Sequence, residues 1–143
     1  MAGKHVATST ITIEVPASRV WSVITDPDAI KEFMFGTDVV TDWTIGGPIA
    51  WRGVWEGNEY EDKGRIVEFE PGRRLVTTHF SPLGGQEDKP ENYHTLTWTL
   101  ESEAGTTELT LSQDNNASAD EARHSKGMWD ALVASVKAIA ERD

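Results

Sequence analysis

The chain predicts an α+β fold: a curved antiparallel sheet of about seven strands, two short helices, and one long C-terminal helix over the concave face. Three observations carry that expectation. A short alternating strand and a proline-led helical stretch open the chain at residues 11–27. An amphipathic segment around residues 128–139 closes it. Nearly everything between alternates at period two and is broken by tight turns. At 143 residues, with no repeat and no linker-like stretch, the whole of 1–143 is expected to form a single domain.

Taken in order, Ile11, Ile13 and Val15 alternate with Thr10, Thr12 and Glu14, the pattern of a half-buried strand. Pro16 ends it. Ser18 is the expected N-cap of a short helix carrying Val20, Trp21, Val23 and Ile24. Asp26-Pro27 joins a capping residue to proline at the first helical position, and so opens a second short helix with Ile30, Phe33 and Met34. Strands follow at 39–43, 49–56, 60–69 and 75–80, separated by the turn dipeptides Gly46-Gly47, Gly57-Asn58 and Pro71-Gly72. The longest loop, 81–92, contains Pro82, Gly84, Gly85 and Pro90. Beyond it Leu96, Trp98 and Leu100 alternate with threonines, and Leu109 and Leu111 alternate with polar residues after a turn near Gly105. The last segment changes period. Trp129, Leu132, Val133, Val136, Ile139 and Ala140 fall three and four apart, one stripe on a helix. Ser118 is its expected N-cap, with Asp120 and Glu121 in the first turn and Arg142 at the end. About 24 residues at ~1.5 Å each give roughly 36 Å, enough to cross a sheet.

Composition narrows the function. Asp and Glu number 24 against 13 Lys and Arg, a formal charge of -11. Such a surface repels a phosphate backbone and an anionic bilayer alike, so neither nucleic acid nor membrane is an expected partner. No apolar run suits a signal core or a membrane span, and the expected location is the cytoplasm. The absence of cysteine excludes disulfides, thiolate metal sites and a cysteine nucleophile. His5, His79, His94 and His124 show no metal-ligand spacing. No nucleophile elbow, P-loop or dinucleotide fingerprint is present, so no cofactor and no metal is expected.

Strand parity picks out the residues that would face a hollow between sheet and helix. Leu96, Trp98 and Leu100 must face in, because their neighbours are threonines, and His94 shares their parity. A hairpin centred between Gln86 and Glu87 pairs His79 with His94, Thr77 with Leu96 and Leu75 with Trp98. A turn at Gly57-Asn58 pairs Trp55 with Tyr60. If Ile49, Trp51 and Trp55 face in, so do Tyr60, Asp62 and Ile66. The spacing in Ile66-Val-Glu-Phe69 predicts a bulge. The cavity candidates are therefore Phe33, Phe35, Trp51, Trp55, Tyr60, Asp62, His79, His94, Trp98, Met128 and Trp129. Each has a plainer reading as well. Trp21, Trp98 and Trp129 fit ordinary core. Trp51, Trp55, Phe33, Phe35 and Tyr60 fit a wall that is filled rather than hollow. The histidines fit a hydrogen-bonded strand-end pair, and Asp62 fits a partner of an arginine or a carboxylate that points outward.

The order of strand, two short helices, six strands and long helix resembles the START-like (SRPBCC) helix-grip superfamily. The closer resemblance is to its branch typified by the activator of the heat-shock-protein-90 ATPase. Pro16 with Val20-Trp21, Thr25-Asp26-Pro27, Gly46-Gly47, the stretch from Gly64 to Pro71, Arg73-Arg-Leu-Val76 and Gly127-Met-Trp129 carry it. The resemblance implies a helix-grip fold with a cavity between sheet and helix, and a stress-related role. It implies no particular reaction, because members range from ligand carriers to cyclases to chaperone partners. Three functions follow as expectations. The first is non-enzymatic binding of a small hydrophobic molecule, oriented by Asp62, His79 and His94. The second is a chaperone-partner module. The third is a cyclase- or hydrolase-like enzyme using the same histidines and Asp62 as acid and base. An exposed edge strand would also support a homodimer.

Overall fold

The computed structural model describes residues 5–82 and 85–142, and the backbone alone of Trp55. The loop residues Leu83 and Gly84 lie outside the described residues. Seven strands, β1 (His5–Ile13), β2 (Asp38–Thr41), β3 (Pro48–Trp55), β4 (Asn58–Glu70), β5 (Arg74–His79), β6 (His94–Glu103) and β7 (Thr106–Asn116), form one sheet. Their order is β1-β7-β6-β5-β4-β3-β2, with every neighbouring pair antiparallel. Helices α1 (Ala17–Ile24) and α2 (Pro27–Phe33) fill the connection between the two edge strands, and α3 (Ala119–Ala140) ends the chain. This is the α+β helix-grip architecture expected from the pattern.

Local chemistry explains the helix ends. Asp26 caps α2 by accepting from the Asp28 N–H at 3.0 Å, with Pro27 at the first helical position. Ser118 caps α3 by accepting from the Glu121 N–H at 3.1 Å, and the Glu121 carboxylate accepts in return from the Ala117 N–H at 2.8 Å. The start of α1 differs from the expectation. Pro16, extended at φ -62 and ψ 157, holds the cap position, and Ser18 lies inside the helix. The Pro16 carbonyl accepts from the N–H groups of Arg19 and Val20, so the first turn begins two residues earlier than a Ser18 cap allows.

Two turns set the register of the hairpins. Ala104 and Gly105 both have positive φ, the conformation of a tight hairpin loop, and join β6 to β7. Between β3 and β4 the loop is Glu56-Gly57, with φ of 49 and 82, and not Gly57-Asn58. Trp55 therefore pairs with Asn58 and Tyr60 with Gly53, which replaces the expected Trp55–Tyr60 pair. The shift moves the centre of the hairpin but keeps parity, so Trp51 stands directly opposite Asp62. The β5–β6 register pairs His79 with His94, Thr77 with Leu96 and Leu75 with Trp98. Register breaks in β4 between Ile66 and Glu68, at the expected bulge.

The core lies under the C-terminal half of α3. Leu132, Val133, Val136, Ile139 and Ala140 are buried against Ile13, Val20, Ile24, Leu109 and Leu111. Four large aliphatic side chains buried on α3 are worth about 6–12 kcal/mol as an upper figure. That far exceeds the ~1 kcal/mol of a cap, so packing, not capping, holds the helix. In the N-terminal half of α3 only Ser125 is buried, and Lys126, Gly127 and Met128 are exposed. The grip is closed at one end and open at the other. No helix among the described residues is long and apolar enough to cross a membrane.

Candidate functional site

A cavity of about 730 Å³ opens where the N-terminal half of α3 stands over the sheet. One wall is built by successive strands: Trp51 from β3, Tyr60 and Asp62 from β4, His79 from β5 and Leu96 from β6. Arg123, His124, Gly127, Met128, Trp129, Ala131 and Leu132 of α3 form the opposite wall. Met34, Phe35 and Thr37, between α2 and β2, complete the rim. Phe35, at φ 54, is 72% exposed, and Met128 is 51% exposed, so two large apolar side chains stand in solvent at the entrance.

Asp62 and His79 form the polar centre of the sheet wall. His79 Nε2 donates to Asp62 Oδ2 at 3.0 Å, and both side chains are 17% exposed. The other two polar atoms of the pair, Asp62 Oδ1 and His79 Nδ1, are buried without a hydrogen-bond partner, as is the Thr77 hydroxyl. Such atoms are uncommon in folded proteins and call for a reason. The Trp51 ring meets His79 edge-on, with ring centroids 5.0 Å apart. Tyr60 is held from the other side. The Thr37 hydroxyl donates to the Met34 carbonyl at 2.9 Å, so its oxygen accepts from the Tyr60 hydroxyl at 2.7 Å. Trp129 Nε1 donates to Gln113 Oε1 at 3.0 Å, which turns the indole into a fixed part of the wall.

The expected residues fall into three groups. Phe35, Trp51, Tyr60, Asp62, His79, Met128 and Trp129 come together around the cavity. His94 lies against His79, with ring centroids 6.3 Å apart, but is not in the lining. Its Nδ1 donates to the Asp114 carbonyl at 2.8 Å, which ties it to β7. Phe33 and Trp98 also lie outside this lining, beside a smaller void of about 20 Å³ deeper in the core. They meet edge to face at 6.1 Å and are 0% and 5% exposed, because α2 presses Phe33 into the closed part of the core. The Trp55 side chain lies outside the described residues. Leu96 lines the cavity as its inward parity requires, and Met34, Thr37, Arg123, His124, Gly127, Ala131 and Leu132 line it without being among the candidates. Gly127 and Ala131 did leave a signal, since small residues four apart on a helix face withhold volume from whatever lies beneath.

Among the described residues, no group of three or more His, Asp or Glu is placed to hold a metal ion. Asp62 and His79 can accept or relay a proton, or anchor a polar group, inside a largely apolar chamber.

Comparison with solved structures supports the fold. The chain is similar to a solution structure from Cytophaga hutchinsonii, with 42% identity, a TM-score of 0.85, and coverage of 99% of this chain and 97% of that one. It is also similar to an HSP90 activator from Plasmodium falciparum, at 18% identity and a TM-score of 0.73 over 94% of this chain and 95% of that one. The Aha1 dimer from Colwellia psychrerythraea is similar at 16% identity and a TM-score of 0.73, over 95% and 96%. At these lower identities the likeness concerns the fold. A comparison with curated proteins finds no match. The model of the family described as Activator of Hsp90 ATPase homolog 1-like protein matches residues 14–141, and the chain belongs to that family.

Proposed function

We propose that the chain binds a small, mostly apolar molecule in the cavity between α3 and the β3–β6 wall, as a non-enzymatic binding protein. The carrying observation is the cavity itself. Its volume of about 730 Å³ falls in the usual range for a drug-sized ligand, roughly 300–1,000 Å³. Most of its lining is apolar, and the polar centre of its sheet wall, Asp62 with His79, would orient what enters. Gly127 provides the test. A β-carbon added there meets nothing within 4 Å, so a large residue has room to grow from the cavity wall. Native mass spectrometry of purified protein is expected to show a bound small molecule that Gly127→Phe loses while keeping a native circular dichroism spectrum. Equal retention by the variant would count against the cavity as the binding place.

A second reading rests on the family match and on the likeness to an HSP90 activator. In it the domain docks on a heat-shock-protein-90-type chaperone and raises its ATPase rate. Adding the protein to such a chaperone and measuring turnover tests this. Neither a complex nor a rate change would exclude it. Gly127→Phe separates the readings, since filling the cavity would leave docking on an outer surface intact.

A further inference from the structure

Hydrogen bonding around the proposed ligand site leaves acceptors on the Asp62–His79 pair, while the Thr77 hydroxyl, also unpartnered, lies outside the cavity lining. Asp62, as a carboxylate, can only accept, so its bond to His79 places the ring proton on Nε2. A neutral ring then carries a lone pair at Nδ1. The two unpartnered atoms of the pair, Asp62 Oδ1 and His79 Nδ1, are thus both acceptors. Several nearby donors are already committed. The Tyr60 hydroxyl hydrogen goes to Thr37, the Thr37 hydrogen to the Met34 carbonyl, and the Trp129 N–H to Gln113. The basic side chains of the lining, Arg123 and His124, stand on the exposed early turns of α3, and Arg123 is paired with Asp120. The Trp51 indole N–H is a neutral donor and does not offset a second negative charge beside Asp62.

We infer that the cavity selects apolar molecules whose polar group is a neutral hydrogen-bond donor, a phenol or alcohol, over carboxylates of the same shape. The inference rests on the ligand-binding reading above. A hydroxyl gives its hydrogen to an acceptor that otherwise has none, after a small rotation of the His79–Asp62 pair toward the cavity. A carboxylate gives nothing and sets a like charge against Asp62, where the low dielectric of an apolar chamber magnifies the repulsion. A non-donating ether leaves both acceptors unpaired.

Three probes of similar shape decide it: 2-naphthol, 2-methoxynaphthalene and 2-naphthoate. Each is titrated into the full chain at pH 7 and followed by calorimetry and by tryptophan fluorescence, which Trp51 and Trp129 report from the wall. The naphthol is expected to bind at least about tenfold more tightly than either of the others, the usual scale for pairing a buried polar group. Equal or tighter binding of the naphthoate or the ether overturns the inference and leaves the apolar-cavity reading standing. If none of the three binds, both fall together. Asp62→Asn removes the charge and supplies an amide donor, so the preference for naphthol over naphthoate should collapse toward parity. A preference that persists in a folded Asp62→Asn protein also overturns the inference. Should that variant not fold, the wild-type comparison of the three probes is sufficient.

Discussion

Gly53 is empty because Tyr60 uses its space. A β-carbon there would lie 2.5 Å from the Tyr60 hydroxyl oxygen and 2.7 Å from the ring carbon that bears it. The ring lies across the cross-strand glycine and is held at its tip by Thr37. Gly53→Ala is therefore expected to push Tyr60 aside, break its bond to Thr37, and cost about 1–2 kcal/mol by urea unfolding. Tyr60→Phe removes the bond without the push and should cost less than Gly53→Ala. Equal losses would mean that the ring does not need the space. Gly127 is the opposite case. It lies inside α3 with open space around it, and glycine in a helix interior is about 0.8–1.0 kcal/mol worse than alanine. Gly127→Ala should raise stability by up to about that amount, read as a higher urea midpoint with an unchanged slope. A protein that keeps a destabilising glycine on its cavity wall is keeping volume there.

At the scale of elements, the C-terminal turn of α3 is tied to the start of the chain by several independent contacts. Arg19 of α1 donates to the Ala140 and Ile139 carbonyls at 3.1 Å each, at the helix end where carbonyls lack their usual partners; the Ile139 carbonyl also accepts from the Arg142 N–H at 3.2 Å. Arg142 grips Glu32 of α2 through two bonds of 2.9 Å, and the Glu141 carboxylate accepts from the Glu14 N–H at 2.9 Å. The Glu14 N–H, then Lys137, hold Glu141 below the ordinary glutamate range, and Arg142 does the same for Glu32. In the unfolded chain both return to about 4.5, so unfolding takes up protons as pH falls. Their stabilisation is complete above that value and is lost as pH drops through the depressed folded values. Amide exchange in the last turn of α3 should therefore accelerate more than in its middle between pH 5 and pH 3, with each rate referred to its intrinsic value. Glu141→Gln should flatten that difference. Much at this scale was legible beforehand. Counting outward from the centre of the 81–92 loop gives the His79–His94 pairing that the strands adopt. The β3–β4 turn departs from the expected one because Glu56, not a glycine, takes the first left-handed position, and nothing in residue type announces that. Ser18 is not the cap of α1, and a serine two residues after a proline looks the same in sequence whether the helix starts before it or at it.

Across the whole molecule, stability and space are assigned to different ends of one helix. Residues 132–140 of α3 supply the buried stripe, and residues 123–132 bound the hollow. Parity could place aromatic residues on the concave face, but it carries no information on how far the helix stands from the sheet at each point. That distance separates Phe33 and Trp98, packed in the core, from Trp51 and Trp129 around the cavity, though all four are large and apolar. The division has a measurable consequence. Val136 is fully buried, and Val136→Ala should cost about 2 kcal/mol in urea unfolding, from lost burial and a small residual cavity. Affinity for 2-naphthol should stay within about twofold, because sites that share no contacts perturb each other little. Met128 stands half in solvent at the rim, and Met128→Ala should change stability by less than about 0.5 kcal/mol. It should weaken 2-naphthol binding several-fold, since the thioether chain covers one side of the entrance. If instead affinity and stability fall together in both variants, the two halves of α3 act as one packed unit, and the open end of the grip is a cooperative part of the core rather than a chamber built beside it.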